Sequence, residues 1–188
     1  MVIDWQNDTR ILELARQLKN GGVIAYPTEA VWGLGCDPGN RLAVERLLQL
    51  KQRQVDKGLI LIAGSLSQIS LYTDGLSDSQ RETLANSWPG PNTWLLPAEH
   101  IAPDWIRGKH ASVAVRVSDH PVVQALCHAF GGPLVSTSAN PQGKPSALTT
   151  SELAQYFGDS LDGIAPGELG GLSSPSTIRD LLSGATIR

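Results

Sequence analysis

The residues of this chain that could do chemistry are hydroxyls and cations, gathered at strand ends and in loops. Thr28 stands in "IAYPTEAVWGLGCDP", Ile24 to Pro38. Lys51 and Arg53 form a K-x-R with Lys57 close behind, and "LVSTSAN" sets Ser136, Thr137, Ser138 and Asn140 after two apolar residues. Ser112 and Arg116 fall in "SVAVRV", Ser146 in a polar stretch, Ser176 and Thr177 in "PSTIRD", and Arg188 comes last. Such a set suits an anion: Arg offers a planar fork to phosphate or carboxylate, Lys a point charge, and hydroxyls orient oxygens without adding charge. Ser136 and Ser138 alternate, so on a strand their hydroxyls project to one side and can converge on one ligand. The plainer alternative is a strand running into a turn capped by Asn140. Arg116 lies inside an apolar alternating run where an unpaired cation is costly, so it requires a partner, a ligand or else Glu29 or Asp119.

The familiar cradles and nucleophiles are missing. A P-loop needs G-x-x-x-x-G-K-[ST], and Gly143-Lys144-Pro145 breaks it. Gly33 and Gly35 read as glycines of a loop, and Pro38 stops them from extending to the dinucleotide fingerprint. His100, His110, His120 and His128 lack metal-ligand spacing, and His128, beside Cys127 in an apolar helix, reads as packed; no metal site is expected. Ser138-Ala139-Asn140 matches the S-x-N of penicillin-recognising enzymes, but S-x-x-K, K-T-G and G-x-S-x-G are absent.

The elements that must position these groups can be read from spacing. "NDTRILELARQLKNGG" predicts a helix capped near Asn7 to Thr9, with Ile11, Leu14, Ala15 and Leu18 as its stripe, and a strand "VIAY" follows. A second helix starts near Asn40 and delivers Lys51 and Arg53 at its end, where basic groups also suit the helix dipole. "GLILIAG" predicts a strand buried on both faces, Ser65 to Trp88 mostly helix, and "WPGPNTWLLPA" a turn and a short strand. "SVAVRV" is a strand, "HPVVQALCHAF" a helix with Pro121 in its first turn, and "PLVSTSAN" another strand. Beyond Asn140 the Pro, Gly, Ser and Thr-rich text predicts loops around one short helix near Ser151 to Phe157.

At 188 residues, 41% hydrophobic and 18% charged, the chain reads as one α/β domain with a mixed sheet, residues 1–188. Two distant cysteines, Cys36 and Cys127, argue for free buried thiols. No apolar stretch reaches bilayer length and the N-terminus lacks a leader pattern, so a cytoplasmic protein is expected. A net charge of −3 speaks against a surface clinging to nucleic acid throughout. Arg41, Arg46, Lys51, Arg53 and Lys57 still leave room for a local strip.

Taken together, "AYPTEAVWGLGCD", Lys51-Gln52-Arg53 followed by "DKGLILIA", "WPGPNTW", "SVAVRVSDHP", "LVSTSAN", the spaced Ser146 and "PSTIRD" resemble the threonylcarbamoyl-AMP synthase family, also called YrdC-like, from about Asn7 to Arg188. Each motif alone is weak; their common order is specific. The resemblance implies a single-domain form whose twisted mixed sheet, flanked by helices, curls around a large concave basic cavity. It implies the joining of L-threonine, bicarbonate and ATP into threonylcarbamoyl-adenylate with release of pyrophosphate. Mg²⁺ would be bound mainly through the ATP phosphates, without a dedicated protein site. Other proteins would then carry the group to N6 of adenosine in tRNAs that read codons starting with A.

Carried over residue by residue, Thr28, Arg116, Ser136, Ser176 and Thr177 resemble the positions for L-threonine. Arg53, Lys57, Ser112, Ser138, Asn140, Ser146 and Arg188 resemble those for ATP, and Lys51 with Arg53 would act on the phosphates. Where some members carry a histidine that touches threonine, this chain has Ile62. The expected catalysis is confinement of a short-lived carbamate beside the α-phosphorus, with charge neutralised by cations rather than by an acid-base dyad. The rival reading is an RNA-binding module, for tRNA or double-stranded RNA, using the same basic concavity.

Overall fold

Helix α1, Thr9–Lys19, forms where the apolar stripe predicts it: Asp8 caps it by accepting from Arg10 N–H, and Ile11, Leu14, Ala15 and Leu18 are buried. A computed structural model describes residues 4–188. After α1 come β1 (Ile24–Pro27) and β2 (Trp32–Gly35). Helix α2, Arg41–Lys51, is capped by Asn40, which accepts from Ala43 N–H. Strand β3 (Ile60–Ala63) leads to the short helix α3 (Ser70–Thr73) and to α4 (Asp78–Ala85), whose Ser77 and Gln80 make a reciprocal capping box. Strand β4 (Asn92–Pro97), the single turn α5 (Asp104–Arg107) and β5 (Ser112–Val117) come next. Helix α6 (Pro121–Phe130) has Pro121 in its first turn, and β6 (Leu134–Ser138) follows. Helix α7 (Thr150–Phe157) and the short strands β7 (Gly163–Ile164) and β8 (Thr177–Asp180) complete the order.

All eight strands join one mixed sheet in the order β7-β1-β2-β6-β3-β5-β4-β8. The pairs β1/β7, β3/β5 and β4/β8 are parallel and the other four antiparallel. Because successive side chains point to opposite faces, each strand is divided between two surroundings. Ala25, Leu34, Leu61, Val113, Val115, Leu96 and Val135 belong to one large core. On the other face Ile24, Tyr26, Ile62 and Leu134 pack with Ile11, Leu14 and Leu18 of α1 and Val122, Val123 and Leu126 of α6. Each such fully buried aliphatic side chain contributes about 1.5–3 kcal/mol. Helices α1 and α6 are too short to cover that second face. Further along the same strands, Ile60, Ser112, Ala114, Ser136 and Ser138 line a cavity instead.

The structure corrects three expectations. Gly33 and Gly35 lie in β2 rather than in a loop, in register with Tyr26 and Ile24. Close approach explains the glycine: a Cβ on Gly35 would stand 2.6 Å from Tyr26 Cε1 and 2.6 Å from the Val135 carbonyl. The fully buried Tyr26 donates to that same carbonyl at 3.1 Å. The tail also holds strands, since "PSTIRD" forms β8 against β4 and Gly163–Ile164 extends β1. Both are too short to show a period of their own. His128 is exposed rather than packed, because α6 turns that position outward. Cys36 and Cys127 are free and buried as expected. Among the described residues no helix is long and apolar enough to cross a membrane.

Substituting Gly35→Ala should lower the free energy of unfolding by about 1–3 kcal/mol, because the Val135 carbonyl cannot swing aside. Gly132→Ala, where the nearest atom is 4.0 Å away, should stay within about 0.5 kcal/mol of wild type. Urea unfolding midpoints distinguish the two.

Candidate active site

The register of the sheet explains why hydroxyls and cations meet. Ile60 pairs with Ala114 on one side and Ser136 on the other, so Ser112, Ala114 and Arg116 stand on the open face beside Ser136 and Ser138. They border a cavity of about 360 Å³. Thr28 enters from the turn after β1, Arg53 and Lys57 from the segment after α2, Ser146 from the loop after β6, and Ser176 and Arg188 from the tail. Of the residues expected at a site, Thr28, Arg53, Lys57, Ser112, Arg116, Ser136, Ser138, Ser146, Ser176 and Arg188 meet here.

The cavity has two chemically different ends, set about 13 Å apart by the four-residue spacing of Ser112 and Arg116 on one strand. At the Ser112 end Arg53 Nη2 donates to the Gly58 carbonyl at 2.9 Å, and burial together with the nearby Arg188 charge lowers its pKa. Two guanidinium groups lining one cavity favour an anion there. Arg188 is held at the cavity by a backbone bond from Ile178 N–H to its carbonyl at 2.9 Å, and its Nη2 donates to the Ser176 carbonyl at 3.2 Å. Ser176 Oγ in turn shares a hydrogen bond of 2.9 Å with Thr93 Oγ1. At the other end Arg116 Nη2 lies 3.0 Å from Glu29 Oε2. The partner required for Arg116 is thus Glu29. Thr28 Oγ1 gives its proton to the Val31 carbonyl at 2.7 Å, which leaves its lone pairs as acceptors.

A family model named for Sua5, YciO and YrdC, with the description "Telomere recombination", matches residues 16–188. The chain belongs to the Sua5/YciO/YrdC family. It is 55% identical to the threonylcarbamoyl-AMP synthase of Cellvibrio japonicus over 187 residues, covering 100% of this chain and 99% of that one. It is 58% identical to the protein of the same name from Pseudomonas aeruginosa over 174 residues, 93% of this chain and 94% of that one. Among solved structures, P. abyssi Sua5 complexed with L-threonine superposes with a TM-score of 0.85 at 31% identity. The match covers 92% of this chain and 51% of Sua5, so the chain spans about half the length of that protein.

Within this Sua5/YciO/YrdC fold some expected residues do not line the cavity. Lys51 is buried in the wall: its Nζ donates to the Ser138 carbonyl, to the Asn140 carbonyl at 2.9 Å and to Asn140 Oδ1 at 3.3 Å. Asn140 Oδ1 also accepts from Ser138 Oγ at 2.6 Å. Lys51 and Asn140 therefore shape the end of β6 that presents Ser138. Thr177 pairs with Asn92 at the edge of the sheet, outside the lining. Ile62 is fully buried under α6, and Ile60 is the β3 residue that meets the cavity. The basic strip is broken up: Arg41 pairs with Glu45, and Arg46 with Asp162. Sequence reasoning missed Glu29 as a lining residue, along with Arg107, His110 and Ser174, whereas Thr137 of "LVSTSAN" does line it. Glu29 adjoins Thr28 in the quoted motif, but Arg107 and His110 reach the cavity only because their loop crosses Gly58, and no local pattern announces that.

Burial, and then the Arg53 charge, hold the Lys51 amine down at about 8 from its ordinary 10.5. Between those two values the unfolded chain binds the proton more readily than the folded one. The Lys51 contribution to stability is therefore fully present above pH 10.5 and lost as pH falls through about 8. Urea unfolding at about pH 7 and about pH 9.5 should show wild type gaining stability relative to Lys51→Met at the higher pH; an unchanged difference would contradict this assignment.

Proposed function

We propose that this protein is a threonylcarbamoyl-AMP synthase that condenses L-threonine, bicarbonate and ATP and releases pyrophosphate. The observation that carries the reading is the convergence, in one cavity, of the cations Arg53, Lys57, Arg116 and Arg188 with the hydroxyls of Thr28 and Ser136. It is supported by the name shared by relatives that are 55% and 58% identical and cover nearly all of their own length. Threonine is assigned to the Arg116 end, with Thr28 and Ser136 as hydroxyl partners, and the triphosphate to the Arg53 end, with Ser112, Ser138 and Ser146.

The neutral amine of threonine first attacks the bicarbonate carbon and water leaves, giving a carbamate, a weak nucleophile that water reclaims quickly. Holding it in a walled cavity beside the α-phosphorus is the main contribution asked of the protein. The carbamate oxygen attacks that phosphorus and pyrophosphate leaves in line, while the cations of the Arg53 end offset charge on the phosphoryl oxygens. Lys51 acts indirectly, by fixing the carbonyls of Ser138 and Asn140.

Glu29, the carboxylate of the lining, is already engaged by Ser118 and Arg116, and no cluster of three metal-ligating side chains occurs among the described residues. Mg²⁺ is accordingly assigned to the triphosphate oxygens and water, where it would neutralise phosphate charge. Transfer of the product to tRNA is assigned to other proteins. The RNA-binding reading loses ground because Arg41 and Arg46 are paired with acidic neighbours and do not line the cavity.

Pyrophosphate release from ATP should depend on both threonine and bicarbonate, with threonylcarbamoyl-adenylate identified by mass spectrometry. Arg53→Ala should slow it by about 10²-fold with the fold intact, on the scale of one preorganised charge donor. A wild-type protein that releases pyrophosphate without the threonine adduct would overturn the proposal. Thr28→Ala should raise KM for threonine and leave that for ATP nearly unchanged.

A further inference from the structure

His110 has no part in the reaction as set out above, yet it lines the cavity with Arg53, Lys57 and Ser112. The loop that carries it is fixed. Leu59 N–H donates to the Ile106 carbonyl at 2.8 Å and Lys109 N–H to that of Asp56 at 3.3 Å, which ties the segment after α5 to the segment after α2. Gly58 and Gly108 stand at this crossing with φ of +66° and +63°. A Cβ on Gly58 would fall 3.0 Å from the Arg107 carbonyl and 3.5 Å from His110 Cδ2, so the imidazole rests against the Gly58 backbone. Arg53 Nη2 holds the carbonyl of that same glycine at 2.9 Å, and Arg107 Nη1 holds the His110 carbonyl at 2.8 Å.

What the ring lacks is a partner. Among the described residues no hydrogen bond or ion pair engages either ring nitrogen of His110, whereas Nε2 of His120 meets the Glu168 carbonyl at 2.9 Å. The carboxylates of the two crossing segments are taken, Asp56 by Lys109 and Asp104 by Arg107. The other charged residues lining this end, Arg53, Lys57, Arg107 and Arg188, are cations, and Glu29 is held by Arg116 and Ser118. Arg53 Nε and Arg107 Nε are also buried without a hydrogen-bond partner. Buried donors ask for acceptors. An imidazole placed among cations, with every nearby carboxylate engaged, finds its counter-charge in a ligand.

We propose that His110 contacts the terminal phosphates of ATP in its protonated form, so that nucleotide binding takes up a proton. The inference rests on the assignment of the triphosphate to the Arg53 end and deepens it. Imidazole is the side chain that ordinarily changes charge between pH 5 and 8, and only its cation offers both ring N–H groups as donors. A triphosphate beside the ring favours that cation, and by linkage the cation holds the triphosphate more tightly. Arginine charge is fixed, whereas imidazole makes part of the cavity's charge adjustable. Nucleotide is thereby held best on the acid side of neutrality.

The test measures ATP affinity by calorimetry, with Mg²⁺ present, at about pH 6 and about pH 8, on the full chain and on its His110→Phe and His110→Lys variants. The position is exposed, so both variants should keep the fold. Relative to His110→Phe, wild type should bind about threefold or more tightly at the lower pH than at the higher, the scale of one partly exposed charge pair. His110→Phe should be weak at both values and His110→Lys tight at both, since lysine keeps its charge across them. The titration of ATP itself is common to all three proteins and cancels. Full affinity in His110→Phe marks a ring that merely stacks on the base, and it refutes the contact. Equal losses in His110→Phe and His110→Lys mark a ring that merely packs, and they refute it too. Wild type that binds no ATP at either pH overturns the functional reading along with the contact, whereas ATP binding indifferent to position 110 overturns the contact alone.

Discussion

Alternate side chains of a mixed sheet must be buried on both faces, and here one face is covered over only part of its area. That partial cover is the constraint on which the rest of the molecule depends. Helices α1 and α6 press on Ile24, Tyr26, Ile62 and Leu134. Two residues further along the same strands the helices have ended, and Ile60 and Ser136 face a hollow. The opposite face is packed throughout with Val, Leu and Trp, so the strands are held rigidly from behind. Side chains on such a floor keep their spacing without help from a ligand, which is what a reaction governed by orientation requires.

The cost of this design appears as charge held in low dielectric. Arg53 faces Arg188, Lys51 is stripped of water, and Arg116 leans on Glu29. Each would be a liability in a protein built for stability alone. Each becomes useful if the cavity takes a ligand with several charges. Lys51 shows how such a group can matter without touching the ligand: its ammonium gathers the carbonyls of Ser138 and Asn140, and so sets the rim on which Ser138 stands.

Membership of the Sua5/YciO/YrdC family and the cavity chemistry agree, and they speak to different links in the argument. Family membership follows from matched sequence over residues 16–188. The assignment of particular atoms follows from register, since pairing of Ile60 with both Ala114 and Ser136 decides which hydroxyls share a face.

Sequence alone determined the α/β class, a cap at Asn40 and one among Asn7, Asp8 and Thr9, the helices α1, α2, α6 and α7, the strands β1, β3, β4, β5 and β6, and most of the cavity's cations and hydroxyls. These were legible because period, capping chemistry and alternation act over a few neighbouring residues. Tertiary structure decided the rest. It made Gly33 and Gly35 part of a strand, drew "PSTIRD" into the sheet, turned Lys51 and Asn140 into wall, and brought Glu29 against Arg116 and Ser118. Those outcomes depend on contacts between segments as much as 89 residues apart. No local pattern encodes where such distant segments will meet; packing of the whole chain does.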